Sequence, residues 1–143
     1  CGLLPISSYC ETVVSSEKEG REGIYSVDEN TRSWWQPDED DETPYITVDL
    51  GADYLVGGIR IVWREIGLDY ENEIFPQPIK YVVEKEWNGR KEILYDGSKN
   101  ECECCCEYKD FSRKTCRRIT LRFQQAKDYK IGIIDLTVFG IMK

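Results

Sequence analysis

The chain of 143 residues carries 27 acidic against 19 basic side chains, for a formal net charge of −8, and it has no histidine. That balance argues against nucleic acid or an anionic membrane as partner, since both need a basic surface. The missing histidine removes Ser/His/Asp and Cys/His catalysis and most catalytic zinc sites. No apolar run reaches the roughly 18 residues of a membrane-spanning helix. The length suits a single domain over residues 1–143 with a core of ordinary size. The chain opens on Cys1 rather than Met and is expected to be a segment of a longer protein.

Residues 11–14 read as a short strand, and residues 15–23 as a polar loop carrying Glu19 and Glu22. Residues 26–33, SVDENTRS, crowd Asp28, Asn30 and Ser33 into one short loop. Such a loop can turn its oxygens onto a hard cation such as Ca²⁺; a plain Asx turn without metal is the alternative. Trp34 and Trp35 follow, and then an acidic run at 36–43, QPDEDDET, expected as a solvated loop. In residues 45–50, Ile46, Val48 and Leu50 alternate with Thr47 and Asp49, the period of a strand with one buried face.

Residues 54–63 form the next predicted strand, with Ile59, Ile61 and Trp63 inward and Arg64 at its end. A polar stretch over 64–77 carries Tyr70 and Asn72, and long loops in compact domains tend to be functional. Predicted strands at 78–87 and 91–95 flank Asn88-Gly89, a type I′ hairpin signal. The run ECECCCE at 101–107 reads as a strand with Cys102, Cys104 and Cys106 on its inner face as small hydrophobes and Cys105 on the other face. A thiolate metal site, or disulfides to Cys1, Cys10 or Cys116, are the alternatives there. Strands at 115–124 and 133–141 close the chain, joined by a short loop carrying Tyr129. Short strands, polar loops and no long amphipathic helix predict an all-β sandwich.

The ordered set Asp28, Ser33 and Trp35, then Ile46, Val48, Asp49, Leu50 and Gly51, resembles the discoidin or coagulation factor V/VIII type C family. Carbohydrate-binding module family 32 shares that galactose-binding-like superfamily. The last strand, IIDLTVFG, is similar to the family's terminal A-E-L-x-V-Y-G, and the likeness runs from about Cys10 to Gly140. The resemblance implies an eight-stranded jelly-roll β-sandwich. It implies a structural Ca²⁺ held by Asp28, Asn30, Ser33 and Asp135, with carbonyls near Ser26.

Sugars are held by aromatic faces and planar polar side chains. By position in the family, the sugar site would draw on Glu22, Gln36, Arg64, Tyr70, Asn72 and Tyr129. Gln36 stands where relatives often carry a histidine. The run through Trp35 looks most like discoidin domains appended to glycoside hydrolase family 43 enzymes. That implies a non-catalytic module, without nucleic-acid or membrane partners, that binds a galactose- or arabinose-containing glycan for an appended catalytic domain. Protein adhesion without sugar binding is the alternative. Family likeness implies a secreted or cell-surface protein, whereas the free use of cysteine suits a reducing cytoplasm.

Overall fold

The computed structural model describes residues 2–143. Seven strands form one hydrogen-bonded antiparallel system: β1 (Leu4–Pro5), β2 (Glu11–Val14), β3 (Tyr45–Ile66), β4 (Tyr81–Trp87), β5 (Arg90–Asp96), β6 (Cys106–Phe123) and β7 (Lys130–Met142). Their order is β1-β7-β3-β6-β4-β5, with β2 paired to the first part of β3. A single 3-10 turn, Gly23–Ser26, is the helical element among the described residues.

The all-β sandwich is as the sequence predicts, with seven strands instead of eight. The reason is continuity. Residues 45–50 and 54–63, expected as two strands, are both in β3, which passes through register shifts at Asp49/Tyr54 and Val56/Gly58 without ending. A shift of this kind bends a strand and strengthens its twist, so one strand can serve both layers. Residues 109–114 are likewise absorbed into β6, which pairs with β3 on both sides of the Val56/Gly58 shift.

Alternation places the core. Ile46, Val48, Ile61, Ile133 and Val138 are fully buried, while Asp49 turns outward to Arg117 and Arg118. Trp35 is fully buried edge-on to Phe123, and Trp63 meets both Phe123 and Tyr81. Trp63 also donates its indole N–H to the buried Glu107 carboxylate at 2.7 Å, which satisfies both groups away from water. Asn88 and Gly89 both adopt positive φ between the paired Trp87 and Arg90, the conformation a type I′ turn requires.

The cysteine run departs from expectation. Cys102, Cys104 and Cys105 lie outside any strand, and Cys102, Cys104 and Cys106 are exposed free thiols rather than inner-face hydrophobes; Cys105 is exposed as well. The backbone turns instead of extending there: Asn100 caps the Cys102 N–H, and the Cys104 thiol folds back onto the Cys106 carbonyl. Cys10 and Cys116 are also free; a disulfide to Cys1 lies outside the described residues.

Candidate functional site

The site is built where β3 ends at Ile66 opposite the start of β7 at Lys130. Trp35 is fixed along β7 by two backbone hydrogen bonds with Ile133, of 2.9 and 2.8 Å. That pins the preceding Trp34 beside Gly132, which pairs with Arg64 across the β3–β7 ladder. A Cβ at Gly132 would stand 2.5 Å from the Trp35 carbonyl oxygen and 2.9 Å from Trp34 Cδ1, so only glycine permits this approach.

Three polar side chains then gather on Trp34. Arg64 places its guanidinium 4.9 Å from the ring centroid, and Arg21 lies at 3.5 Å. Both distances fall within cation–π range. Gln36 accepts the Trp34 indole N–H at 3.2 Å. Arg21 is held by a tight turn in which its N–H donates to the Lys18 carbonyl, while its own carbonyl accepts the Gln36 N–H. Glu22 follows directly, and its Oε2 is buried without a donor among the described residues.

Arg64 therefore reaches the loop end as its place at the end of a strand predicts. Gln36 lies deeper than expected: it is 4% exposed and holds the indole by its N–H. Tyr129 corrects the reading of an open loop aromatic. Tyr129 is 2% exposed, its hydroxyl accepts the Gln77 N–H at 2.9 Å and donates to Glu65 at 3.4 Å, and it anchors the segment around Gln77 to the core. Burial first, then the Glu65 charge, raises its phenol pKa against the opposing Gln77 N–H. Burial likewise raises the Glu65 carboxyl, with the Tyr129 bond opposing it.

Tyr70 and Asn72 ride on a separate hairpin tip closed by the Asp69–Ile74 bridge. Asn72 donates its side-chain amide to Asp69 at 2.6 Å and locks that turn. Tyr70 is open, tilted against Phe75 with ring centroids 5.4 Å apart. Arg21 escaped sequence reasoning because it sits in a polar loop whose composition marks no residue above its neighbours; Trp34 was visible but had no assigned face.

The candidate cation loop lies elsewhere. Asp28 accepts the Asn30 N–H and the Ser33 hydroxyl, and Ser33 Oγ lies 3.3 Å from the Asn30 carbonyl oxygen. One carboxylate, one hydroxyl and one carbonyl thus converge, a hard-oxygen set of the kind calcium takes. Ser26 is fully buried and gives its hydroxyl to the Gly23 carbonyl. Asp135 is committed to a different partner: Arg60 pairs with it at 3.2 Å, and Thr137 donates to it at 2.7 Å. It shares with Asn30 a groove of about 460 Å³ on the outer face of β3 and β7. No three His, Cys, Asp or Glu side chains cluster for a metal among the described residues.

Comparison with solved structures places the fold. A chitosan-binding module of a chitosanase/glucanase from Paenibacillus sp. IK-5 superposes with a TM-score of 0.78 at 14% identity, covering 96% of this chain and 99% of that one. A family 32 module of Clostridium perfringens NanJ, solved with galactose, gives 0.75 at 19% identity over 96% and 97% of the two chains. A further C. perfringens module, CpGH89CBM32-4 in complex with GlcNAc-α-1,4-galactose, gives 0.77 at 16% identity over 97% and 95%. No curated protein sequence matches the chain. The model of the F5/8 type C domain matches residues 11–133. With that match over most of its length, the chain belongs to the F5/8 type C domain family.

Proposed function

We propose that this domain is a non-catalytic carbohydrate-binding module whose sugar docks at Trp34. The observation that carries this reading is the convergence of Arg21, Arg64 and Gln36 on one indole at a loop end of the sandwich. Structural neighbours of the same fold are solved in complex with galactose and with chitotriose. Aromatic rings beside fixed polar donors are what sugar recognition needs. Arg64 and Arg21 supply the donors, Gln36 and Gly132 hold the ring in place, and Tyr70 on the neighbouring hairpin offers an open aromatic face. Such a module serves an appended glycoside hydrolase in a secreted or surface protein by holding it on its polysaccharide.

A calcium ion in the 28–33 loop belongs to the same reading. Asp28, Ser33 and the Asn30 carbonyl would hold it, and its part would be to stiffen the loop, with no chemistry of its own. Asp135 stays with Arg60 in this reading. A cation at 100 times its Kd would add about 2.7 kcal/mol of stability by mass action.

The test is a glycan array followed by calorimetric titration of the best ligands, run with and without chelator. Binding that is lost in Arg64→Ala supports the site. An array blank under every condition would remove the sugar reading and favour protein adhesion. A melting temperature unmoved by chelator, with no metal by elemental analysis, would remove the cation alone.

A further inference from the structure

We infer that the sugar taken at Trp34 is anionic, a uronate or a sulfate ester, gripped by Arg21 and Arg64. The inference rests on the carbohydrate-binding reading above and specifies its ligand class. In a chain of net charge −8, cations are readily matched, and Arg60, Arg117, Arg118 and Arg122 are each paired to an Asp or Glu. Arg21 and Arg64 are not: among the described residues neither makes an ion pair, and both are laid on the same indole.

Most carboxylates nearby have other partners, and Glu22, whose Oε2 is buried without a donor, makes no ion pair with either arginine among the described residues. Glu17 accepts the Gly23 N–H, Glu65 accepts the Tyr129 hydroxyl, and Glu39 pairs with Lys18. Two guanidinium groups outside any ion pair therefore meet at one place. Each presents a planar fork of N–H donors that matches a carboxylate or sulfate oxygen pair. Stacking on Trp34 orients the guanidinium groups before the ligand arrives, so less side-chain freedom is lost on binding. The supporting turn holds Arg21 by its backbone at Lys18 and Gln36, and Arg64 is held in the β3–β7 ladder. A neutral sugar would offer this pair hydroxyl oxygens without the charge that strengthens each hydrogen bond.

The experiment is calorimetric titration of the intact domain with three matched ligands: a galacturonic acid oligomer, a sulfated galactan oligomer and the neutral galactose oligomer. We expect one anionic form to bind about tenfold or more tightly than the neutral one, as a charge-assisted hydrogen bond provides. The preference should shrink as salt is raised. It should vanish in Arg21→Gln and in Arg64→Gln, and survive in part in Arg64→Lys, which keeps the charge without the fork. Thermal melts of each variant check folding. Loss of preference for uronate alone or sulfate alone identifies the anion. If the neutral oligomer binds as well as both anionic ones, the inference is overturned and the sugar reading stands; if no ligand binds here or on the glycan array, both fall.

Discussion

The guanidinium carbon of Arg21 sits 3.5 Å from the centroid of the Trp34 indole. An exposed cation–π contact is worth about 0.5–1 kcal/mol, so its removal should barely disturb the fold. Arg21→Ala and Trp34→Ala are each expected to lose glycan binding with a melting temperature within a few degrees of the parent. Calorimetric titration beside thermal melts checks this; a large loss of stability in Arg21→Ala would make the stack a packing contact.

Tyr129 should behave in the opposite way. Tyr129→Ala empties a site that is 2% exposed, and large-to-small changes of an aromatic in a core cost about 3–5 kcal/mol. Tyr129→Phe removes only the hydroxyl that receives the Gln77 N–H, for about 1 kcal/mol. Urea titrations of the two variants should rank them in that order. Equal, negligible losses would show that the ring is not an anchor.

Asp41 gives a pH dependence of known sign. Burial pushes its carboxyl up, but hydrogen bonds from Ser15, Ser16 and the Thr43 N–H outweigh it, and the pKa is lowered. Asp49 is lowered in the same way, burial being outweighed by the Gly51 N–H with Arg117 and Arg118. A carboxylate with a depressed folded pKa adds stability above its unfolded value near 4, and that stability is lost as pH falls through the folded pKa. The domain should therefore lose stability progressively below about pH 4, and Asp41→Asn should flatten part of that slope. Melting temperatures at stepped pH read it directly; an unchanged slope in the variant would count against the Asp41 contribution.

The thiols should divide sharply. Cys102, Cys104, Cys105 and Cys106 are exposed, whereas Cys116 is fully buried. Burial, with the Glu92 charge adding and Lys85 opposing, pushes the Cys116 thiol up to about 11. Only the thiolate reacts. Brief alkylation of the native protein near pH 7.5, followed by peptide mass spectrometry, should label the four exposed positions and spare Cys116 until the chain unfolds. Prompt labelling of Cys116 would mean that its strand opens locally.

These outcomes also mark how far the sequence could be read. Ile46, Val48 and Leu50 alternate with Thr47 and Asp49, and their burial follows that alternation. Asn88-Gly89 forms its hairpin because two adjacent positive φ values need those residue types. Both signals are local, and so legible. Tyr129 has no such signal: its burial is decided by Gln77, some fifty positions away in the chain, offering an N–H to its hydroxyl. The acidic run 36–43 looked uniformly solvated, yet Asp41 turns in to Ser15 and Ser16. The cysteine run mimicked strand alternation, but Asn100 capping Cys102 delays the strand until Cys106. Arg21 and Trp34 meet only because Trp35 is tied to Ile133 and Gly132 leaves room. Long-range contacts of this kind leave no periodicity to read.

The most direct measurement is an NMR titration of the isotope-labelled domain with the best-binding glycan. The account predicts that the Trp34 indole N–H and the Arg21 and Arg64 side-chain N–H signals shift together and saturate with one Kd. Shifts confined to the Arg60, Asp135 and Phe139 groove or to the Tyr70 hairpin, with the Trp34 indole unmoved, would contradict it.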